Sequence, residues 1–216
     1  MGFMTHMTKR ALILANGEPP KKSLLHSLVR QAQLFVCADG GANTALKLGL
    51  KPDAIVGDMD SIHAETLSKF HHIPQHAIVD ANSTDLEKAI VWTIKQKYEH
   101  ITVAGAAGKR LDHTVGNLGV LAKFYPDAII TFVDNVGELM FVGRELTFEA
   151  PLHSLVSLLP LTRCEGITTQ GLEFALENES LELGVREGTS NVVIANPVLI
   201  KVKKGNLLLY KLRDDG

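Results

Sequence analysis

The stretch LFVCADGGANTALKLGLKPDAIVGDMDS (34–61) sets the fold class. LFVCA and DAIVG are continuous apolar runs, not alternating ones, as in parallel strands buried on both faces. The ADGGAN turn follows the first run and precedes a helix. Each run ends on aspartate, Asp39 after the first and Asp58 and Asp60 after the second. Outward from there the same unit repeats. ALILANG (11–17) stands before it, and HAIVD (76–80), HITVAGA (100–106) and AIITFVD (128–134) follow. The clearest helix between the runs spans Thr84 to Lys97. Its Thr84 and Glu87 form a capping box, in which each side chain satisfies an exposed backbone amide of the first turn. A second helix runs from Leu111 to Tyr125, stopped by Pro126. The alternation predicts an α/β domain with a doubly wound, mainly parallel sheet and helices on both faces.

Past residue 136 the pattern changes. GELMFVG, ELTFE, SLVSLLP, GITTQ, LELGV, NVVIANPVLIKVK and NLLLYKL follow one another with turns between and no long helical period. That predicts a smaller antiparallel β-sandwich or barrel. The expected domains are therefore 8–135, α/β, and 136–216, antiparallel β.

Composition narrows the classes of function. The chain has 216 residues, 45% hydrophobic and 21% charged, which suits a globular protein with a real core. A net charge of −2 gives no basic footprint, so no nucleic-acid partner is expected. No apolar run reaches the roughly 20 residues that span a membrane, so no membrane partner is expected either. MGFMTHMTKR lacks the apolar centre of a secretory signal, and its three methionines leave the start site open. Two cysteines make no disulfide framework, and Cys37 within LFVCA reads as a buried small hydrophobe. A cytoplasmic location fits these features.

The chemistry lies in the aspartates. Asp39, Asp58 and Asp60, Asp85, and Asp112 follow four different apolar runs. In an open parallel sheet, the loops beyond the carboxyl ends of the strands converge on one edge, where ligands bind. Two carboxylates about 4 Å apart repel by roughly 4 kcal/mol at an effective dielectric near 20, so such a cluster calls for a cation. An all-oxygen set suits Mg²⁺, which takes one or two carboxylates together with phosphate oxygens and water. The plainer reading makes each aspartate a turn former or helix cap. ADGGAN (38–43), with Gly40, and GAAGKR (105–110), with Gly105, put glycines between strand and helix, where backbone amides approach phosphate. Neither is a Walker loop, and the first strand leads into no G-x-G-x-x-G turn, which disfavours a dinucleotide. Lys88, Lys109 and Arg110 are the cations placed to meet phosphate, and Arg110 can do so with two parallel hydrogen bonds. The plainer reading of Lys109 is a solvated surface residue. No metal spacing joins the histidines, and no Ser–His–Asp or Cys–His set stands out.

On these residues the chain resembles the thiamine pyrophosphokinase family. The matching motifs are ADGGAN (38–43), KPDAIVGDMDSI (51–62), STDLEKAI (83–90), GAAGKRLDHTVGNL (105–118), TTQGLEF (168–174) and GTSN (188–191), in the family's order. The resemblance implies an ATP-binding catalytic domain followed by a β-domain, in a homodimer with thiamine bound between subunits. It implies a pyrophosphoryl transfer from ATP to thiamine, with AMP leaving and Mg²⁺ as cofactor. It makes Asp58, Asp60 and Asp85 the metal residues and, with Arg110, the catalytic set. Asp39, Gly40, Thr84, Lys88, Gly105, Arg110 and Asp112 become contacts around the nucleotide phosphates. Ser190 and Asn191 resemble contacts to the pyrimidine of thiamine. Phe174 stands where animal members carry a tryptophan that stacks on the vitamin; its other reading is a core aromatic of the β-domain. Asp60 and Asp85 are both candidates to accept the hydroxyl proton. His113 and Asn117 fit the motif without an assigned role. The amino-terminal motifs also permit a pterin pyrophosphokinase or a non-catalytic thiamine or nucleotide sensor. The β-domain residues weigh against the former and the gathered acidic charge against the latter.

Overall fold

The structure is a computed structural model that describes residues 9–213. The three early methionines and the first residue of the expected amino-terminal domain lie outside the described residues. The chain divides into two compact units. The first runs up to Asn117 and includes Pro126–Asn135, and the second comprises Leu118–Tyr125 and the chain from Val136 on.

In the first unit strands and helices alternate: β1 (Arg10–Leu14), α1 (Lys22–Gln31), β2 (Leu34–Ala38), α2 (Gly41–Leu48), β3 (Ala54–Gly57), α3 (Ala64–Lys69), β4 (Gln75–Ala77), α4 (Asp85–Lys95), β5 (His100–Ala104), the start of α5 (Leu111–Lys123), and β6 (Ile129–Val133). The strands lie in the order β6-β5-β1-β2-β3-β4 and pair in parallel throughout. Ile13, Leu14, Val36, Cys37, Ile55 and Val56 are fully buried, because helices cover both faces and continuous apolar runs suit such strands. Burial pushes the Cys37 thiol well above its ordinary pKa, as expected of a buried hydrophobe. The capping box of α4 forms as expected: the Glu87 amide donates to Thr84 Oγ1 at 3.3 Å, and the Thr84 amide to Glu87 Oε2 at 3.1 Å. HAIVD is shorter as a strand than its pattern suggests. Among the described residues β4 is an edge strand paired only with β3, and the chain turns away after Ile78, leaving Val79 92% exposed.

The second unit contains β7 (Gly137–Phe141), β8 (Glu145–Phe148), β9 (Leu155–Pro160), β10 (Cys164–Gln170), β11 (Glu177–Leu181), β12 (Gly188–Val192), β13 (Val198–Lys201) and β14 (Leu207–Leu212). Two antiparallel arrays result, β12-β9-β14-β7 and β11-β10-β13-β8. Val156, Leu158, Ile167, Leu181, Ile200 and Leu209 form one core cluster, as the inward faces of a sandwich do. LELGV is mostly turn. β11 ends at Leu181, and Glu182 bridges Arg186 around Gly184, whose φ of +79° is a turn conformation. Cys164 is buried and, like Cys37, free. No helix among the described residues is long and apolar enough to cross a membrane.

Candidate active site

The strand order puts β1 between β5 and β2. The chain builds β1 to β4 in one direction and then returns to place β5 and β6 on the other side. The reversal opens a crevice beyond the carboxyl ends of β1 and β5, the place where such sheets bind ligands. The loops there are tied by backbone bonds, Gly17 donating to the Gly105 oxygen and Glu18 to that of Ala107. Gly105 has a φ of +71°, and a Cβ on it would lie 2.8 Å from the Ala15 oxygen. At Gly40, which opens α2, a Cβ would lie 2.3 Å from Asn16 Nδ2. Gly105 is therefore set by backbone close approach and its positive φ, whereas at Gly40 the Asn16 side chain fills the space a Cβ would take.

A cavity of about 450 Å³ opens here. Asp39, Asp58, Thr84, Asp85, Lys88, Gly105 and Arg110 line it, so most residues the sequence assigned to phosphate and metal meet in one place. Oxygens of Asp39, Asp58 and Asp60 lie within 4.8 Å of one another. Asp39 is 2% exposed with a left-handed φ of +42°. Its Oδ2 accepts from the Ser61 amide at 3.2 Å, while Oδ1 is buried with no hydrogen-bond partner among the described residues. Burial, and then the charges of Asp85 and Asp58, push its pKa above the usual carboxylate value against the hydrogen bond from Ser61. Ser61 also donates through Oγ to Asp60 Oδ1 at 2.9 Å. A three-oxygen set with an orphaned buried oxygen fits a small hard cation.

Asp85 and Lys88 both line the cavity and are joined by an ion pair that the sequence reading did not foresee. The Lys88 ammonium, 3% exposed, reaches Asp58 Oδ2 at 2.8 Å and Asp85 Oδ1 at 2.9 Å. The Asp58 amide also donates to Asp85 Oδ1, at 3.3 Å. Asp85 and Lys88 are three apart in the first turn of α4, so both side chains face the same way, onto the end of β3. The Lys88 ammonium thus gives two of its three N–H donors to carboxylates. Burial alone would lower its pKa, and the hydrogen bonds to Asp58 and Asp85 outweigh that and raise it. The same bond from Lys88 holds Asp58 below the usual carboxylate range. Thr84 spends its oxygen on the cap of α4.

Arg110 and Asp112 are exposed and joined by a forked ion pair. The guanidinium pulls the Asp112 pKa down to about 2. Asn117, whose role the sequence left open, is buried and anchors its amide on the Ala106 oxygen at 2.7 Å. His113 lines the cavity. Asn16, Ser61 and Asp80 also line it and were not singled out. Ser61 lay within a quoted motif, and Asn16 carried a signal as the polar residue just past the first apolar run.

In the second unit Phe174 is 65% exposed, which removes the core-aromatic reading. Asn191 is buried. Its Oδ1 accepts from the Phe174 amide at 3.0 Å, and its Nδ2 donates to the Phe174 oxygen at 2.8 Å. It holds the backbone under the exposed aromatic. Ser190 is exposed, with φ of +55°, and its amide donates to Ser157 Oγ at 3.0 Å.

Comparison with known proteins agrees with this arrangement. The family model "Thiamin pyrophosphokinase, catalytic domain" matches residues 25–133, and "Thiamin pyrophosphokinase, vitamin B1 binding domain" matches 145–207. Thiamine pyrophosphokinase 1 of Arabidopsis thaliana is 30% identical over 97% of this chain and 88% of its own length. Thiamine pyrophosphokinase 2 of the same plant is 31% identical over 95% and 86%. The crystal structure of thiamin pyrophosphokinase from Geobacillus thermodenitrificans shares the fold at a TM-score of 0.80 and 24% identity, covering 96% of this chain and 99% of that one. With both family models in order along it, and relatives matched over nearly its full length, the chain belongs to the thiamine pyrophosphokinase family.

Proposed function

We infer that this chain is a kinase-type transferase that moves a pyrophosphoryl group from ATP to the hydroxyl of thiamine, giving thiamine diphosphate and AMP. Family membership supports the reaction. The single structural observation behind it is the cluster of Asp39, Asp58 and Asp60 beyond the carboxyl ends of β2 and β3, with Asp39 and Asp58 lining the cavity and a buried carboxylate oxygen left without a hydrogen bond among the described residues. In the transfer, the thiamine oxygen bonds to the β-phosphorus as that phosphorus parts from the α-bridging oxygen, which leaves on AMP. The hydroxyl proton goes to Asp60 or Asp85.

Mg²⁺ belongs to this proposal, held by Asp58 and Asp60 with Asp39 and Asp85 beside them. Bound there it would neutralise charge on the phosphate oxygens. The chain's own residues do the rest. Lys88 keeps Asp58 ionised and holds both Asp58 and Asp85 in place. Arg110, on the open side of the cavity, offers a fork that can exchange Asp112 for phosphate. Gly40 and Gly105 let backbone approach the ligand. Catalysis then rests on holding the groups in line and on fixed charge.

The division of labour is proposed likewise: residues 8–135 bind ATP and carry the chemistry, while 136–216 bind thiamine and dimerise. Phe174 would stack on the vitamin from its exposed position, with Ser190 beside the pyrimidine. Exposed Phe174, Leu155 and Ile194 in the second unit support a homodimer with thiamine between subunits. A cytoplasmic location is part of the same reading, and two free cysteines fit it.

A product assay with ATP, thiamine and magnesium tests the reaction. Equimolar AMP and thiamine diphosphate are expected, both abolished by chelator and restored by Mg²⁺. ADP with thiamine monophosphate would overturn the pyrophosphoryl step. Product formation that survives the chelator would remove the metal.

A further inference from the structure

Three Lys or Arg side chains among the described residues line the acidic cavity: Lys88, Lys109 and Arg110. Lys88 lies between two carboxylates and Arg110 on one. Lys109 differs. Its ammonium donates to the backbone oxygen of Asn16 at 2.8 Å and, at 3.4 Å, to Asn16 Oδ1. Both acceptors are neutral, and no carboxylate among the described residues pairs with this ammonium. Its charge is therefore uncompensated, at the loop that follows β1. The same side chain lines a second cavity of about 690 Å³ together with Asn43, Lys47 and His63. Its backbone has a φ of +55°, a left-handed conformation that costs any residue with a Cβ and suits glycine. Lys109 is exposed, so packing returns little of that cost.

We propose that Lys109 is a phosphate-binding residue, whose ammonium meets the polyphosphate of the nucleotide at the edge shared by the two cavities it lines. An ammonium has three N–H donors. Asn16 takes two and fixes the direction, leaving one donor and the full charge for an anion. Lys88 keeps the acidic cluster neutral enough to persist, and Lys109 supplies attraction for the incoming ligand. The proposal rests on ATP being the co-substrate, and it assigns Lys109 to nucleotide binding and not to thiamine binding.

The test is ATP affinity by titration calorimetry with magnesium present, together with the KM for each substrate, in wild type and in K109Q, K109G and K109R. Loss of one charge-assisted contact predicts a rise in ATP Kd and KM of between about tenfold and a hundredfold in K109Q and K109G. The KM for thiamine stays unchanged, and K109R recovers most of the ATP affinity. The deficit shrinks as salt is raised, because an exposed charge is screened. Glycine accepts the left-handed backbone and glutamine keeps a long, uncharged polar side chain, so one of the two reports even if the other unfolds. ATP bound as tightly by both neutral variants as by wild type overturns the proposal. An equal rise in both KM values overturns it too, since that marks a general disturbance of the site. Wild-type protein that binds no ATP overturns the co-substrate reading itself, whereas wild-type turnover with unaffected variants overturns Lys109 alone.

Discussion

Asp39 combines a left-handed backbone, a carboxylate 2% exposed, and one oxygen with no hydrogen-bond partner. Leaving such a group unsatisfied costs on the order of 1–3 kcal/mol, and neighbouring Asp58 and Asp85 add repulsion. Its pKa is raised, so the folded state holds this proton to higher pH than the unfolded chain does. Stability of the metal-free protein is therefore lost as pH rises from the ordinary carboxylate range through the raised value. Asp39→Asn removes that loss, and asparagine tolerates the positive φ. The metal-free variant should unfold at a higher temperature at neutral pH, by roughly 2–4 °C for each kcal/mol regained. The gap should narrow in acid. Turnover should fall by about two orders of magnitude, and added Mg²⁺ should stabilise wild type more than the variant. Thermal unfolding at several pH values checks this, and a variant less stable than wild type at neutral pH contradicts it. The sequence showed the carboxylate but not its burial, which depends on the Ser61 loop folding over it.

At the scale of the element, β12 shows why GTSN could be located but not fully read. Alternation along a strand decides which side chains face inward, and one irregular residue reverses it. The register of β12 against β9 shifts between Gly188 and Asn191, and Ser190 sits there with a left-handed backbone. Ser190 therefore stays exposed while the Asn191 amide turns in to bind the backbone of Phe174. Asn191 thus positions the aromatic. Asn191→Ala should raise the KM for thiamine about tenfold, the equivalent of some 1.4 kcal/mol. The KM for ATP should hold, and the effect should largely vanish in a Phe174→Ala background, where nothing remains to position. Additive effects in that double-mutant cycle would make Asn191 a separate contact. The cap of α4 was more legible, because Thr84 and Glu87 act within one turn and need no distant partner.

For the whole molecule, the proposed homodimer with shared sites gives a complementation experiment. Sedimentation should return twice the chain mass of 23.5 kDa. Asp58→Asn and Phe174→Ala chains, each nearly inactive, should regain activity when mixed and allowed to exchange subunits. Mixed dimers would then contain one site with both native residues. No recovery after proven exchange would mean that each site is complete within one subunit.

By itself the sequence determined the class of each half and pointed to the residues proposed to carry the chemistry. Apolar periodicity, Gly-rich turns and aspartates after strands are local signals, written within a few residues of where they act. Only tertiary structure decided the strand order that brings the ends of β1 and β5 together, and with it the place of the cavity. It also decided which cations are spent and which stay available. Lys88 and Lys109 look alike in the chain, yet one is buried between two aspartates and the other rests on the neutral oxygens of Asn16. The physical reason is that a charge is defined by its neighbours. Asp58, one of the two partners of Lys88, and Asn16, the partner of Lys109, lie 30 and 93 residues away, separations that no local pattern spans.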